Sequence, residues 1–537
     1  MTSRLIRYGF WAVVAVAATL IVLRTALASP SFPFRARAWM NMEGCFGLGI
    51  ILALAVRAMP AGEQGESPTP PFIRSVWPGA LALGLLTAAA FWRTLYFFFL
   101  SDDFVLVKAG NSSSLGNLHH LFAGDAAYGF YRPITKLSLV LTSKWAKWDP
   151  AAWHASALIL HSANSILVFL LARGLCASPL AAFFAAALFS LHGTRPETAV
   201  WISGRFDLLA TLFTLCGLLF FLSSLKETEI KRWVCGLAAS ACMVLAILSK
   251  ESAYIFPLLL GLALILEGES PRKRVGIMAC FLLIAAGLFV QRWLLLGGIG
   301  GYRHAGTGQA LALTFSVVGA LKVLLLRIWA VLFFPVNWST PPGAGFALVT
   351  VVYLISLVWL ALRRIDRRRL TFALGFLIVS ALPPLHLLLI GSNLEKSRFL
   401  YLPSVGFCLL LALAVERLPG RARWIVPGAI LAFNLCALEH NLNAWEYASA
   451  KAKSACHAAV NCIDSSTKRM IVGDLPPILR GVYFFGNGFQ ECVDMQRAGA
   501  SIQVEIRRGG GATPEGDGSR HLWWDQSADE LRCVDPR

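Results

Sequence analysis

The chain has 537 residues, of which 57% are hydrophobic and only 15% charged. A soluble fold of this length carries many more charges, so the composition excludes one and fits a protein of bilayer-length apolar runs, about 20 residues each. The formal charge of +18 would suit a nucleic-acid binder, but Lys and Arg fall mainly in short loops between apolar runs, as the positive-inside rule expects. No nucleic-acid partner is expected.

Residues 1–75 read as an N-terminal transmembrane hairpin and cytoplasmic loop. The run 8–27 is long for a signal peptide and contains Arg24, so an uncleaved helix is expected. The run 44–59 returns the chain, and a Gly/Pro/Ser/Glu-rich loop follows at 60–71. Residues 77–100 lead outward and end in the aromatics Tyr96, Phe97, Phe98 and Phe99. Asp102 and Asp103 then stand where a helix meets water. Carboxylates near lipid are costly and commonly functional.

The stretch 131–148 is amphipathic and reads as a helix on the membrane surface, with Trp145 and Trp148 at the interface. The span 151–171 carries His154, His161 and Asn164. Two histidines seven residues apart share a helix face, but no carboxylate pattern joins them. Interhelical hydrogen bonding is their expected use. The run 179–191 goes outward to a loop holding Arg195, Glu197, Arg205 and Asp207. Runs 208–222 and 234–248 lead to the turn Ser249-Lys250-Glu251-Ser252, and 253–266 and 276–295 follow. The segment 310–334 contains Lys322 and Arg327 and reads as half-inserted. Were it to span, the five arginines within 363–369 would face outward, against the positive-inside rule. With 347–362, 370–390, 399–415 and 425–438, the spans number about thirteen.

The expected fold is a mainly α polytopic bundle over 76–439, with a small extracytoplasmic α+β domain over 440–537. That tail holds Cys456, Cys462, Cys492 and Cys533. An oxidising compartment favours their pairing. Either of Cys456 and Cys462 is expected to bridge to Cys492 or Cys533, tying a post-membrane helix to the strands.

Asp102, the 192–207 loop, the Lys250 turn and the 391–398 loop all fall on one outer face. Arg132, Arg195, Glu197, Arg205, Asp207, Lys250, Glu251 and Arg398 make it a polar chamber above an apolar bundle. Cations there suit a lipid-linked phosphate, and a carboxylate suits deprotonation of an acceptor hydroxyl. Neither a G-x-S-x-G elbow nor a G-x-x-x-x-G-K-[ST] phosphate loop occurs in the sequence. A flippase or transporter of lipid-linked glycans would instead show inverted repeats and broken helices near the midplane. A non-catalytic scaffold would not gather acids and cations on one face.

Several strings resemble the membrane half of the transmembrane and tetratricopeptide-repeat O-mannosyltransferases and their bacterial relatives, which are GT-C glycosyltransferases. They are Asp102-Asp103, Tyr131-Arg132-Pro133, His161-Ser162-Ala163-Asn164, Trp201-Ile202-Ser203-Gly204-Arg205-Phe206-Asp207-Leu208-Leu209, Leu248-Ser249-Lys250-Glu251 and Arg398-Phe399-Leu400-Tyr401-Leu402-Pro403-Ser404-Val405-Gly406-Phe407. The resemblance covers roughly 76–450 and implies an inverting hexosyltransferase that takes mannose or another hexose from a polyprenyl phosphate. Asp102 would be the base and Asp103 its partner. Arg132, Arg195, Glu197, Arg205, Asp207, Lys250, Glu251, Arg398 and Tyr401 would bind donor phosphate or substrate. The expected partners are a polyprenyl-phosphate-linked sugar, a protein or glycan acceptor, and membrane lipids. No cofactor is expected, with a divalent cation left open. The expected site is a bacterial inner membrane, facing the periplasm. Arg195 departs from the family pattern, where a His or smaller polar residue is expected, and no 34-residue period follows residue 450.

Overall fold

The structure is a computed structural model. It describes residues 76–123, 129–301, 316–337, 365–388, 390, 393–418, 422–464, 467–496, 502–507 and 519–534. The expected N-terminal hairpin and the expected span at 347–362 lie outside these residues.

Three helices start where Asp or Ser precedes Pro, at Asp149-Pro150, Ser178-Pro179 and Ser270-Pro271. Asp149 accepts from the Ala151 N–H to open α4, and Ser270 accepts from the Lys273 N–H to open α9. Proline at the first helical position lacks only a donor that would go unused, and the side-chain oxygen satisfies one orphan N–H. The helices are α1 (Trp77–Phe91), α2 (Asp102–Ser112), α3 (Pro133–Ala146), α4 (Pro150–Leu175), α5 (Pro179–Leu191), α6 (Arg205–Lys226), α7 (Glu229–Ser249), α8 (Phe256–Leu266), α9 (Pro271–Leu296), α10 (Arg367–Ala381), α11 (Pro403–Glu416) and α12 (Ala422–Asn461). Between α9 and α10, Val317–Lys322 and Ile328–Phe333 flank one π-helical turn.

Among the described residues, six helical stretches are long and apolar enough to cross a membrane: Trp77–Tyr96, Pro150–Leu175, Ile202–Lys226, Glu229–Ser249, Pro271–Leu296 and Ala422–Asn461. α5 and α11 are shorter and form the bundle centre. Every residue of α11 from Pro403 to Val415 is buried. α7 and α9 instead expose Trp233, Leu237, Leu283 and Leu294, the pattern of a lipid-facing surface.

α12 runs unbroken for 40 residues with Pro427 inside it. The expected boundary at 439/440 therefore falls in mid-helix. Arg93, just after α1, explains part of this continuity. It is buried, donates to Asn443, and lies 3.3 Å from both Glu439 and Glu446. Glu439, Asn443 and Glu446, which follow the apolar run 425–438, thus meet a buried cation inside the fold.

The tail is an α+β unit. β1 (Arg469–Gly473) pairs in parallel with both β4 (Gln503–Arg507) and β5 (Ser519–Asp525), and β6 (Glu530–Val534) closes the sheet antiparallel to β5. β2 (Ile478–Leu479) and β3 (Val482–Tyr483) form a small hairpin, followed by α13 (Phe489–Gln496). Cys456 bridges to Cys492 and Cys462 to Cys533, each with Cα atoms 5.9 Å apart. Both bonds fall within the expected pairings and tie α12 to α13 and β6.

Candidate active site

After α1 the chain makes a 3-10 turn, Trp92–Tyr96, then runs extended to Leu100. Ser101 is buried with φ +47, and Asp102 opens α2. Two adjacent carboxylates then meet different surroundings. Asp102 is half-buried, and Ser203 Oγ donates to its Oδ2 at 3.5 Å. Asp103 is 1% exposed and accepts from the N–H of Leu100 at 3.1 Å and of Ser203 at 3.4 Å. Burial pushes its carboxyl well above the usual range, against those backbone donors. Asp103 is built into the fold, whereas Asp102 is reachable.

The cations sit in acid pairs. Arg132 grips Glu251 in bidentate fashion, Nε to Oε2 at 2.8 Å and Nη2 to Oε1 at 2.5 Å. Burial works against the Glu251 charge, but Arg132, with Arg292 and Lys250 behind it, outweighs burial and holds the carboxyl down at about 2. Lys250 meets Asp207 at 2.6 Å and lies over the Phe399 ring. Arg398 meets Glu197 at 3.3 Å and lies over Trp201. Burial raises the Glu197 carboxyl, while Arg398 and the Ser397 hydroxyl pull it back.

Three predicted residues go elsewhere. Arg195 is fully buried, donating to the Phe189 carbonyl and to Ser404 Oγ, with its guanidinium over the Phe189 and Tyr401 rings. Tyr401 is buried too, its hydroxyl 2.7 Å from His161 Nδ1 and 3.3 Å from Asn164 Nδ2. His161 thus bonds between helices, as expected from the sequence. Arg205 donates to Thr142 Oγ1 at 2.6 Å and to Ser156, over the Trp153 ring. Arg195, Arg205 and Tyr401 hold the bundle together rather than facing an opening. Among the described residues, no group of three His, Cys, Asp or Glu side chains could hold a metal ion.

A cavity of about 130 Å³ lies beside Lys250 and Glu251. Arg292 lines its polar side, and Tyr254, Phe289, Leu387 and Phe399 its apolar side. Arg292 is 7% exposed, and its Nε finds no hydrogen-bond partner. Sequence reasoning passed over it, although an arginine inside the apolar run 276–295 was the available signal. The 202–207 segment links the cavity to the carboxylates: Ser203 faces Asp102, and Asp207, four residues on, holds Lys250.

Human protein O-mannosyl-transferase TMTC4 (Homo sapiens) is 27% identical over 417 residues, covering 64% of this chain and 56% of that protein. The chain is similar to protein O-mannosyl-transferases. The Mus musculus TMTC4 protein is 25% identical over 414 residues, and protein O-mannosyl-transferase Tmtc1 of Drosophila melanogaster 28% over 199 residues, or 35% of this chain and 23% of that protein. The resemblance to O-mannosyltransferases read from the motifs is therefore met in curated proteins. The chain spans about half the length of the first two relatives. No protein-family model matches it. Among solved structures, ArnT from Cupriavidus metallidurans bound to undecaprenyl phosphate aligns with a TM-score of 0.46 and 11% identity, covering 83% of this chain and 93% of that one.

Proposed function

We propose that this O-mannosyl-transferase-like chain moves mannose or another hexose from a polyprenyl-phosphate donor to a hydroxyl acceptor on the extracytoplasmic face, with inversion, in protein O-glycosylation. The observation that carries this reading is the reachable Asp102, met by Ser203 four residues before the Asp207 that pairs with Lys250, together with a cavity lined by Lys250, Glu251 and Arg292 and by the apolar Phe289, Leu387 and Phe399. Asp102 takes the proton from the acceptor hydroxyl, whose oxygen attacks the anomeric carbon as the bond to the phosphate breaks. Lys250 and Arg292 stabilise the charge that gathers on the departing polyprenyl phosphate. The relatives' names favour a protein acceptor. A lipid or surface-glycan acceptor is the second reading, favoured by the compact α+β unit that follows α12 directly. No cofactor is assigned.

The test uses the full chain in lipid nanodiscs with radiolabelled polyprenyl-phosphate mannose and either a peptide or a glycan acceptor. Transfer of label is expected, unaffected by EDTA, with turnover lowered about 10²–10⁴-fold in Asp102→Asn. Wild-type turnover in Asp102→Asn would count against the mechanism, and movement of label across the bilayer without transfer would favour a flippase.

A further inference from the structure

We propose that the C-terminal domain is part of the catalytic apparatus: residues 484–488 fix the backbone of Ser101 and so aim Asp102, which makes Asn487 and Gly488 positioning residues. This inference rests on the reading of Asp102 as the base.

Ser101 is the residue immediately before Asp102. Its φ of +47 lies where a side chain is unfavourable and glycine is favoured. Such a conformation persists only where the surroundings over-determine it. Here the surroundings come from the other end of the chain. The Ser101 N–H donates to the Phe484 carbonyl at 2.9 Å, and its Oγ donates to Asn487 Oδ1 at 3.1 Å. Gly488 packs so closely that a Cβ on it would lie 2.3 Å from the Ser101 carbonyl oxygen, and its own φ is +82. The contact continues along α2. The Phe104 ring stacks on Phe485, and Lys108 meets Asp494 at 2.7 Å. The domain is anchored in turn, because Cys456–Cys492 joins α13, which begins directly after Gly488, to α12. Gly486 and Asn487 are exposed at the rim while Ser101, Phe484 and Gly488 are buried, so only the outer edge of the clasp meets solvent beside the half-buried Asp102.

The experiment measures turnover and donor KM for wild type, Asp102→Asn, Asn487→Ala, Gly488→Ala, Ser101→Gly and the Ser101→Gly/Asn487→Ala double variant in nanodiscs. Asn487→Ala is expected to lower kcat by about 10- to 100-fold, as misplacement of a catalytic group by ~1 Å does, with donor KM unchanged. Gly488→Ala is expected to lower it further. Glycine at 101 adopts positive φ unaided, so Asn487→Ala should have no added effect in that background, a coupling that a merely stabilising domain would not produce. Should Gly488→Ala fail to fold, the Asn487 cycle still decides. Wild-type kcat in Asn487→Ala, or an equal loss with and without Ser101→Gly, while Asp102→Asn is inactive, overturns the inference alone. Full turnover in Asp102→Asn overturns the reading beneath it as well.

Discussion

Asp102 and Asp103 are neighbours in the chain with opposite surroundings. Asp103 uses both oxygens on backbone N–H groups, whereas Asp102 keeps solvent access. Asp103→Asn replaces one accepting oxygen by an amide that faces a donor. Leaving a buried donor unsatisfied costs about 1–3 kcal/mol, so the thermal midpoint of Asp103→Asn should fall while that of Asp102→Asn stays near wild type. Equal midpoints for the two variants would show that the roles have been divided wrongly. The pair itself was legible from its place after an aromatic helix end. Which carboxylate is reachable was not, because the answer depends on Ser203, a hundred residues away. The same holds for Arg195, Arg205 and Tyr401, whose motif positions suggested the chamber. Their partners, Ser404, Thr142 and His161, place them inside the bundle.

At the scale of elements, ion pairs pin the outer turns. Arg132 at the start of α3 holds Glu251 just after α7, and Lys250 holds Asp207 near the start of α6. Removing one member of a buried pair leaves the other uncompensated, at about 3–5 kcal/mol. Lys250→Ala will therefore lose stability as well as donor use. Glu251 has its carboxyl held below the ordinary value of 4.5, at about 2. A depressed carboxylate gives stability that is present above its unfolded pKa and lost as pH falls through the folded one. Wild type should thus lose its advantage over Glu251→Gln between pH 4.5 and about 2. Midpoints of the two that run parallel across that window would exclude the pair as a source of stability. The run lengths showed these helices in advance. The continuity of α12 was hidden because its polar middle, Glu439 to Glu446, reads as a solvated end until Arg93 is brought against it.

On the scale of the whole molecule, the helical bundle followed from composition and periodicity, and the four tail cysteines pair as the expected set allowed. What the sequence could not convey is how closely tail and bundle are joined. Tyr483 stacks on Trp201, and Phe485 on Phe104. Those contacts link residues hundreds of positions apart, which local pattern cannot register. α12 is the element that sets them. Its 40 residues extend about 60 Å at the helical rise, twice the ~30 Å hydrocarbon thickness of a bilayer. Roughly half of it therefore stands clear of the acyl chains like a mast, carrying the domain whose residues 484–488 meet Ser101. Helices answer a change in bilayer thickness by tilting, and tilt of a mast swings its tip. Turnover in nanodiscs of progressively shorter acyl chains is expected to fall while donor binding holds, and equal loss of both would place the sensitivity in the bundle instead.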